Sequence, residues 1–347
     1  MTALRALLGI ELPVIQAPMA GSQLGALAVA VSNAGGLGSL PCGMLTPQGV
    51  KAELLVLQES TRKPYNVNFF CHAPPTPSAE REARWRTTLT PYFREFDIDP
   101  DSISASPGRT PFSAESAALL AGFKPAVVSF HFGLPSAELL QLVRGWGAKV
   151  LSSATTVEEA RWLEAHGADA IIAQGAEAGG HRGMFLSEDI ATQMGTFALL
   201  PQVVRAVKVP VIAAGGIADA KGVAAALSLG AIAAQVGTSY LRCPEATTSA
   251  VHRAALAGES ARSTALTNLF SGRPARGIVN RLMRELGPMS SLVPAYPLAS
   301  NALAPLRARA EAMGTGDFSP LWSGQNASGC REVPAARLTR ELGGADT

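Results

Sequence analysis

The stretch KVLSSATTVEEARWLEAHGADAIIAQ, residues 149–174, contains a complete folding unit. KVLSS is a short β-type run. Thr156, with Glu159 three residues later, forms a capping box, and Val157, Ala160 and Leu163 then recur at helical spacing. Gly167 is a natural helix stop, and AIIAQ opens the next strand almost at once. Residues 209–237 repeat the plan as VPVIAAGG, IADAKGVAAALSLG and AIAAQVG, with Asp219 near the helix start.

Working outward, PVIQAPM (13–19), LGSL (37–40), YNVNFF (65–70) and AVVSFHF (126–132) join AKVLSSA (148–154), ADAIIAQ (168–174), VPVIAAG (209–215) and AIAAQVG (231–237). Eight short apolar runs alternating with helical patterns predict a closed (β/α)8 TIM barrel, with an open doubly wound sheet as the alternative. The barrel is expected over residues 1–71 and 121–241. Residues 72–120, rich in Pro, Arg and Ser, read as a helical insertion. Strand signals fade after Leu241, so 242–310 read as a helical cap domain, 311–330 as a segment returning to the barrel, and 331–347 as a fraying tail.

The composition fits this reading. Of 347 residues, 47% are hydrophobic and only 16% charged, and 34 are glycine, as suits a parallel sheet buried on both faces. A net charge of +2, with no basic run, argues against nucleic acid as a partner. Cys42, Cys71, Cys243 and Cys330 are widely spaced with no CxxC pair, which argues against a metal cluster or a disulfide framework. The N-terminus lacks the apolar core of a signal peptide. Residues 222–241 carry no charge but read as helix, turn and strand rather than as a membrane span. A cytoplasmic protein is expected; its oligomeric state is not legible.

Chemistry is expected at the strand C-terminal ends. Gly215 and Gly216 close one strand just before a helix, and Gly237 and Thr238 close the next. Two neighbouring loops of this kind offer backbone N–H groups, a hydroxyl and a helix N-terminus to a phosphate; tight turns alone would explain a single Gly pair. In AQGAEAGGHRG (173–183), Gln174 offers an amide to a heterocycle, and Gly179–Gly180 lets backbone approach a ligand. Glu177 and His181 have the i,i+4 spacing of a metal pair but lack a third ligand, so no metal is expected. Asn68, on an apolar strand, needs partners or a ligand. His131, between Phe130 and Phe132 in AVVSFHFGLP, is either a satisfied core histidine or a catalytic group at the mouth of a site. His72, His166 and His252 read as surface or helix histidines.

Taken in order, IQAPMAG (15–21), VSNAGGLGSL (31–40), NVNFF (66–70), VVSFHFGLP (127–135), QGAEAGGHRG (174–183), IAAGGIAD (212–219), AQVGT (234–238) and DFSPLWSGQ (317–325) resemble the nitronate monooxygenase family. The FHFG segment is similar to the class I members in particular. The resemblance implies an FMN-dependent barrel with an added helical domain that oxidises alkyl nitronates with O2 to a carbonyl compound and nitrite. Propionate 3-nitronate is a typical substrate of the class. It also implies FMN contacts at Asn68, Gln174, Gly179 and Gly216 and along Gln235, Val236, Gly237 and Thr238, with the backbone of Ala17–Met19 along the flavin ring. Gly180 and Gly215 join this set as neighbours in the same loops. His131 becomes the active-site histidine, His181 a second substrate contact, and Tyr296 a gating candidate. Two other readings use the same glycine loops: an NAD(P)H-dependent enoyl-thioester or quinone reductase, and a non-catalytic flavin- or phosphate-binding protein.

Overall fold

The computed structural model describes residues 3–103 and 109–345. Its principal sheet contains β1 (Val14–Gln16), β2 (Gly38–Pro41), β3 (Tyr65–Phe70), β4 (Val127–His131), β5 (Lys149–Ala154) and β6 (Ala170–Gln174). A two-residue β7 (Gly180–His181) stands outside it, and β8 (Val211–Ala214) and β9 (Ala233–Val236) complete it. All pairings are parallel, in the order β1-β9-β8-β6-β5-β4-β3-β2. A parallel bridge from Ile15 to Leu37 closes the ring; Gln16 N donates to Leu37 O and Leu37 N to Val14 O, each at 2.9 Å. The fold is the expected eight-stranded barrel.

Local chemistry starts and stops its helices as the pattern requires. Thr156 Oγ1 accepts from Glu159 N at 3.1 Å, and Asp219 Oδ1 accepts from Gly222 N at 2.8 Å. Gly167 and Gly230 take positive φ directly after their helices, a conformation open to glycine at little cost. Outward-facing Val128, Phe130 and Val150 pack with Leu120, Leu140 and Val143 of the covering helices. Inward-facing Ile15, Leu37, Leu151, Ile172 and Ile212 fill the barrel floor, which Leu4 and Leu8 of the helix Ala3–Leu8 plug from below. Above that floor lies a polar layer, where Asn66 Nδ2 donates to Ser39 Oγ (3.0 Å) and Ser129 Oγ (2.9 Å).

Two expectations about the remainder need correction. Residues 242–310 are not wholly helical: β10 (Thr264–Thr267) pairs antiparallel with β11 (Ala275–Ile278), and β11 pairs with β7. The four-residue runs TALT and ARGI have no period of their own; their partner lies about a hundred residues upstream. Residues 331–345 do not fray, because the helix Ala335–Leu342 buries Ala335, Leu338 and Leu342 in a cluster with Val14, Leu27 and Val31. Their spacing is that of one helix face. Residues 346–347 of that tail, and 104–108 of the insertion, lie outside the described residues.

The insertion and the cap share one core. Trp85 and Leu89 of the helix Ala79–Glu95 pack with Ala299, Leu303 and Leu306 of the helix Ala299–Ala312. No helix among the described residues is long and apolar enough to cross a membrane.

Candidate active site

A cavity opens at the C-terminal ends of the barrel strands. Of the residues singled out in the sequence, Ala17, Met19, Asn68, His131, Gln174, Gly179, Gly180, His181, Gly215, Gly216, Gln235, Gly237 and Thr238 line it. Val236 does not, since its side chain joins the cluster outside the barrel; its carbonyl accepts from Ala17 N at 2.8 Å and so fixes the end of β1. Tyr296 stands behind the wall, edge-on to His181 and His72 with ring centroids 5.4 and 4.9 Å away.

One end of the cavity is made of backbone. Past β8, Gly215 and Gly216 take φ values of +119° and +72°. A Cβ on Gly215 would lie 2.7 Å from Thr196 Oγ1. The Glu177 carboxylate, in the loop past β6, accepts from Thr196 N (2.8 Å) and Thr196 Oγ1 (2.8 Å), and Thr196 Oγ1 lies 3.0 Å from Gly215 O, so the start of the helix Thr196–Ala206 ties the two loops together. Past β9, Thr238 Oγ1 accepts from Gly324 N at 2.9 Å. Gly324 and Asn326 are wall residues that the sequence did not single out. Asn326 Nδ2 donates to Gly216 O at 3.0 Å, and Gln325 N donates to Glu177 O at 2.9 Å, so a single returning segment stitches three loops together. Gly179 must be small here, because a Cβ would fall 2.5 Å from Gly324 N.

The polar walls above the barrel are partly satisfied. Asn68 Nδ2 donates to Ser129 Oγ (2.9 Å) and Ser129 O (3.2 Å). Gln174 holds its own loop, with Nε2 on His181 O (3.0 Å) and Oε1 accepting from Gly183 N (2.8 Å). It therefore offers a ligand only the remaining hydrogen-bonding capacity of its amide. Gln235 Oε1 is buried with no partner, as expected of a group awaiting a ligand. Arg182 is fully buried and clamps the loop by donating to Gly175 O (2.7 Å), Gln174 O (2.6 Å) and Gln193 Oε1 (2.9 Å). The Glu177–His181 pair is divided: the carboxylate serves Thr196, and His181 Nε2 meets Ser271 Oγ at 2.8 Å.

The other end is made of side chains. Along β4, strand alternation turns Ser129 and His131 inward and Phe130 outward, so Phe130 belongs to the outer core with Phe69 and Phe112. It is not a wall of the site. Phe132, at φ +69°, does not line the cavity either but backs it, its ring 4.6 Å from that of His131. His131 Nε2 donates to His181 O at 3.1 Å, which leaves Nδ1 to accept from the Ser153 hydroxyl at 3.0 Å. Burial, then the Arg182 and Arg273 charges, hold its pKa down to about 4.

His181 is held well below its usual value by burial and then by Arg109, His131, Arg273 and His72. His72 is no surface residue. It is buried, donates from Nε2 to Arg109 O at 3.0 Å, and is held at about 4 by burial, with the two arginine charges adding to that. His252 is likewise buried, bonded to Trp322 O at 3.0 Å. Three neutral imidazoles thus surround an aromatic group fed by two guanidinium ions. Among the described residues no three His, Cys, Asp or Glu side chains are grouped to hold a metal ion.

The chain was compared with known proteins. The family profile described as "Nitronate monooxygenase" matches residues 1–343. A nitronate monooxygenase of Paraburkholderia phytofirmans is 46% identical over 345 residues, covering 98% of this chain and 93% of that one. Among solved structures, a nitroalkane oxidase from Streptomyces ansochromogenes superimposes with a TM-score of 0.88 at 41% identity, covering 99% of both chains. FabK from Thermotoga maritima superimposes with a TM-score of 0.72 at 28% identity, covering 99% of this chain and 94% of that one.

Proposed function

The chain belongs to the nitronate monooxygenase family, and on that premise we propose that it oxidises alkyl nitronates with O2 to a carbonyl compound and nitrite, using FMN at the barrel mouth. One observation carries the reading: a single cavity joins a glycine-built end to a half-buried histidine whose pKa is held down to about 4. The family is one of flavoenzymes. The unpartnered Gln235 Oε1 and the crowded glycines suit a flat heterocycle with one phosphate. Gly215, Gly216, Gly237 and Thr238 would hold the phosphate; Ala17, Met19, Asn68, Gln174 and Gln235, with Gly179 and Gly180, would hold the ring. When bound, the flavin supplies electron acceptance and the reaction with O2.

The chain's own residues bind the anion, exclude water and move a proton. Phe132 and Phe70 dry the space beside His131. With Nε2 committed to His181 O, the lone pair available as a general base is on Nδ1, beside Ser153 Oγ. Proton abstraction from a neutral nitroalkane charges the ring close to Arg182 and Arg273, which disfavours it; the nitronate formed in the same step offsets that repulsion. A nitronate arriving as an anion needs no base and finds the arginine charges favourable. We further assign the protein to the cytoplasm, where its four free cysteines stay reduced.

Anaerobic titration of the yellow protein tests this reading. Propyl-1-nitronate should bleach it, and NADH or NADPH should do so barely. Rapid bleaching by NAD(P)H would make it a reductase, and no bleaching by either would make it a binding protein.

A further inference from the structure

A second cavity, of about 850 Å³, lies against the first as a seam between the barrel and the cap. Its barrel wall includes Leu45 of the loop after β2, Val50 of the helix Pro47–Ser60, and Phe69 of β3. Its cap wall includes Phe270, Leu303 and Phe318. Val50 and Phe69 belong to the outer core of the barrel, and the three cap residues to the core of the cap. Each core is filled on its own side, so the apolar space between them serves the packing of neither. Arg109 and Trp322 line both cavities. The Trp322 ring lies 5.5 Å from that of His181 in the first and 5.7 Å from that of Phe270 in the second. The two cavities therefore meet at the histidine end.

Small residues keep the seam open. Ser300, Ala304 and Ala308 recur every four residues along the lining face of the helix Ala299–Ala312, and Ala304 and Ala308 are exposed. On the barrel side Met44 is 51% exposed. Neither wall is free to close the gap. Trp85 Nε1 donates to Ala299 O at 3.3 Å and fixes the helix in the cap. A Cβ on Gly43 would fall 2.6 Å from the Phe70 ring, so the loop that carries Met44 rests on a wall of the first cavity. The charges of the seam are already engaged. Arg307 Nε donates to Glu311 Oε1 at 2.8 Å, which also accepts from Ser319 Oγ at 2.7 Å. Arg109 Nη1 donates to Tyr296 OH at 3.0 Å, and Glu115 is exposed. What is left for a ligand is apolar surface in a cleft of ligand size.

Resting on the function proposed above, we propose that the seam takes the hydrocarbon tail of the substrate, and that the enzyme is built for nitronates with an unbranched apolar chain longer than butyl. The nitronate group stays beside His131, and the chain passes between Arg109 and Trp322 into the cap. Each methylene that crosses exchanges water for apolar surface, worth about two- to fourfold in affinity. Short nitronates fill the first cavity alone and gain nothing from the second.

The test compares ethyl, butyl, hexyl and octyl nitronates as substrates of the holoenzyme. In the wild type kcat/KM should rise about 10–200-fold from butyl to octyl, chiefly through KM; a flat or falling series overturns the proposal. Ala304→Phe places a ring in the seam and should lower the octyl-to-butyl ratio by about tenfold or more, and an unchanged ratio overturns it. A second measurement needs neither turnover nor that variant: 1-octanol and 1-butanol are titrated into the holoenzyme, followed by tryptophan fluorescence. 1-Octanol should give a saturable change at concentrations about tenfold or more below 1-butanol, and Trp322→Phe should abolish it. Equal binding, no binding, or a signal that survives in Trp322→Phe overturns the seam as a tail site. If no nitronate is consumed, the assigned activity fails, and the octanol titration alone decides the seam.

Discussion

The two ends of the cavity are made of different material. At the glycine end, Gly215, Gly216, Gly237 and Gly179 present main chain, and hydrogen bonds from Gly324, Gln325 and Asn326 fix the spacing. At the histidine end, His131, His181 and Arg109 line the cavity with His72, Arg273 and Tyr296 behind them; they come from separate segments and meet through ring packing and a few hydrogen bonds. Main chain admits almost no variation without moving the fold, so it suits a ligand part that never changes, such as a phosphate. Side chains can be exchanged singly, so they suit the part that differs between substrates.

The largest effect that would break this division is at His131. His131→Asn should keep the flavin and lose about 10²–10⁴-fold in turnover of a neutral nitroalkane, the usual worth of a general base. Nitronate oxidation should suffer far less, and an equal loss on both would remove the base role. With the pKa at about 4, the base form is present above that value and lost as pH falls through it. Turnover of neutral nitroethane should therefore stay level down to about pH 5 and drop below it; an inflection near 6.5 would show that burial does not depress the ring.

Gly215→Ala tests the other end, since it demands φ +119° and meets Thr196 Oγ1. Strain of roughly 1–3 kcal/mol should weaken flavin binding about 10–100-fold on dialysis, and unaltered retention would show that the main chain there can yield. Thr238→Val strips Gly324 N of its acceptor. It should cost about 1–2 kcal/mol of flavin affinity, without altering the preference between substrates. Smallest is Tyr296→Phe, which removes the hydroxyl that receives Arg109. About a 2–10-fold rise in KM for nitronates is expected, and an unchanged KM would show that Arg109 does not depend on Tyr296 for its position.

The same division sets what the sequence discloses. The glycine end is written as local punctuation, with a strand closing in Gly-Gly or Gly-Thr ahead of a helix, and the barrel strands are legible for the same reason. Alternation along β4 sets Phe130 on the outer face of the barrel from the sequence alone. His72 and the Arg109–Arg273 pair carried no local signal. His72 looks like a loop histidine, and its burial arises only when Tyr296 packs against it from 224 positions downstream. The β10–β11 hairpin escaped notice because each strand has four residues and is completed by β7. The terminal helix is the opposite case, for its apolar face was in plain view and only its contacts were missing.

The Ile15–Leu37 closure and the pairing of Val14 with Ala234 make the first barrel strand wait for the last. At roughly 5–20 residues per second of synthesis, that interval is about 10–40 s. Throughout it the apolar edge of β1 has no partner for half its hydrogen bonds, an invitation to wrong pairing. Until then the cofactor cradle stays open as well, because Gly237 and Thr238 directly follow the strand that seals it. The cradle for the flavin is thus among the last parts of the barrel to form, and a shortage of flavin should leave its mark on the yield of folded protein before it is seen in the rate of catalysis.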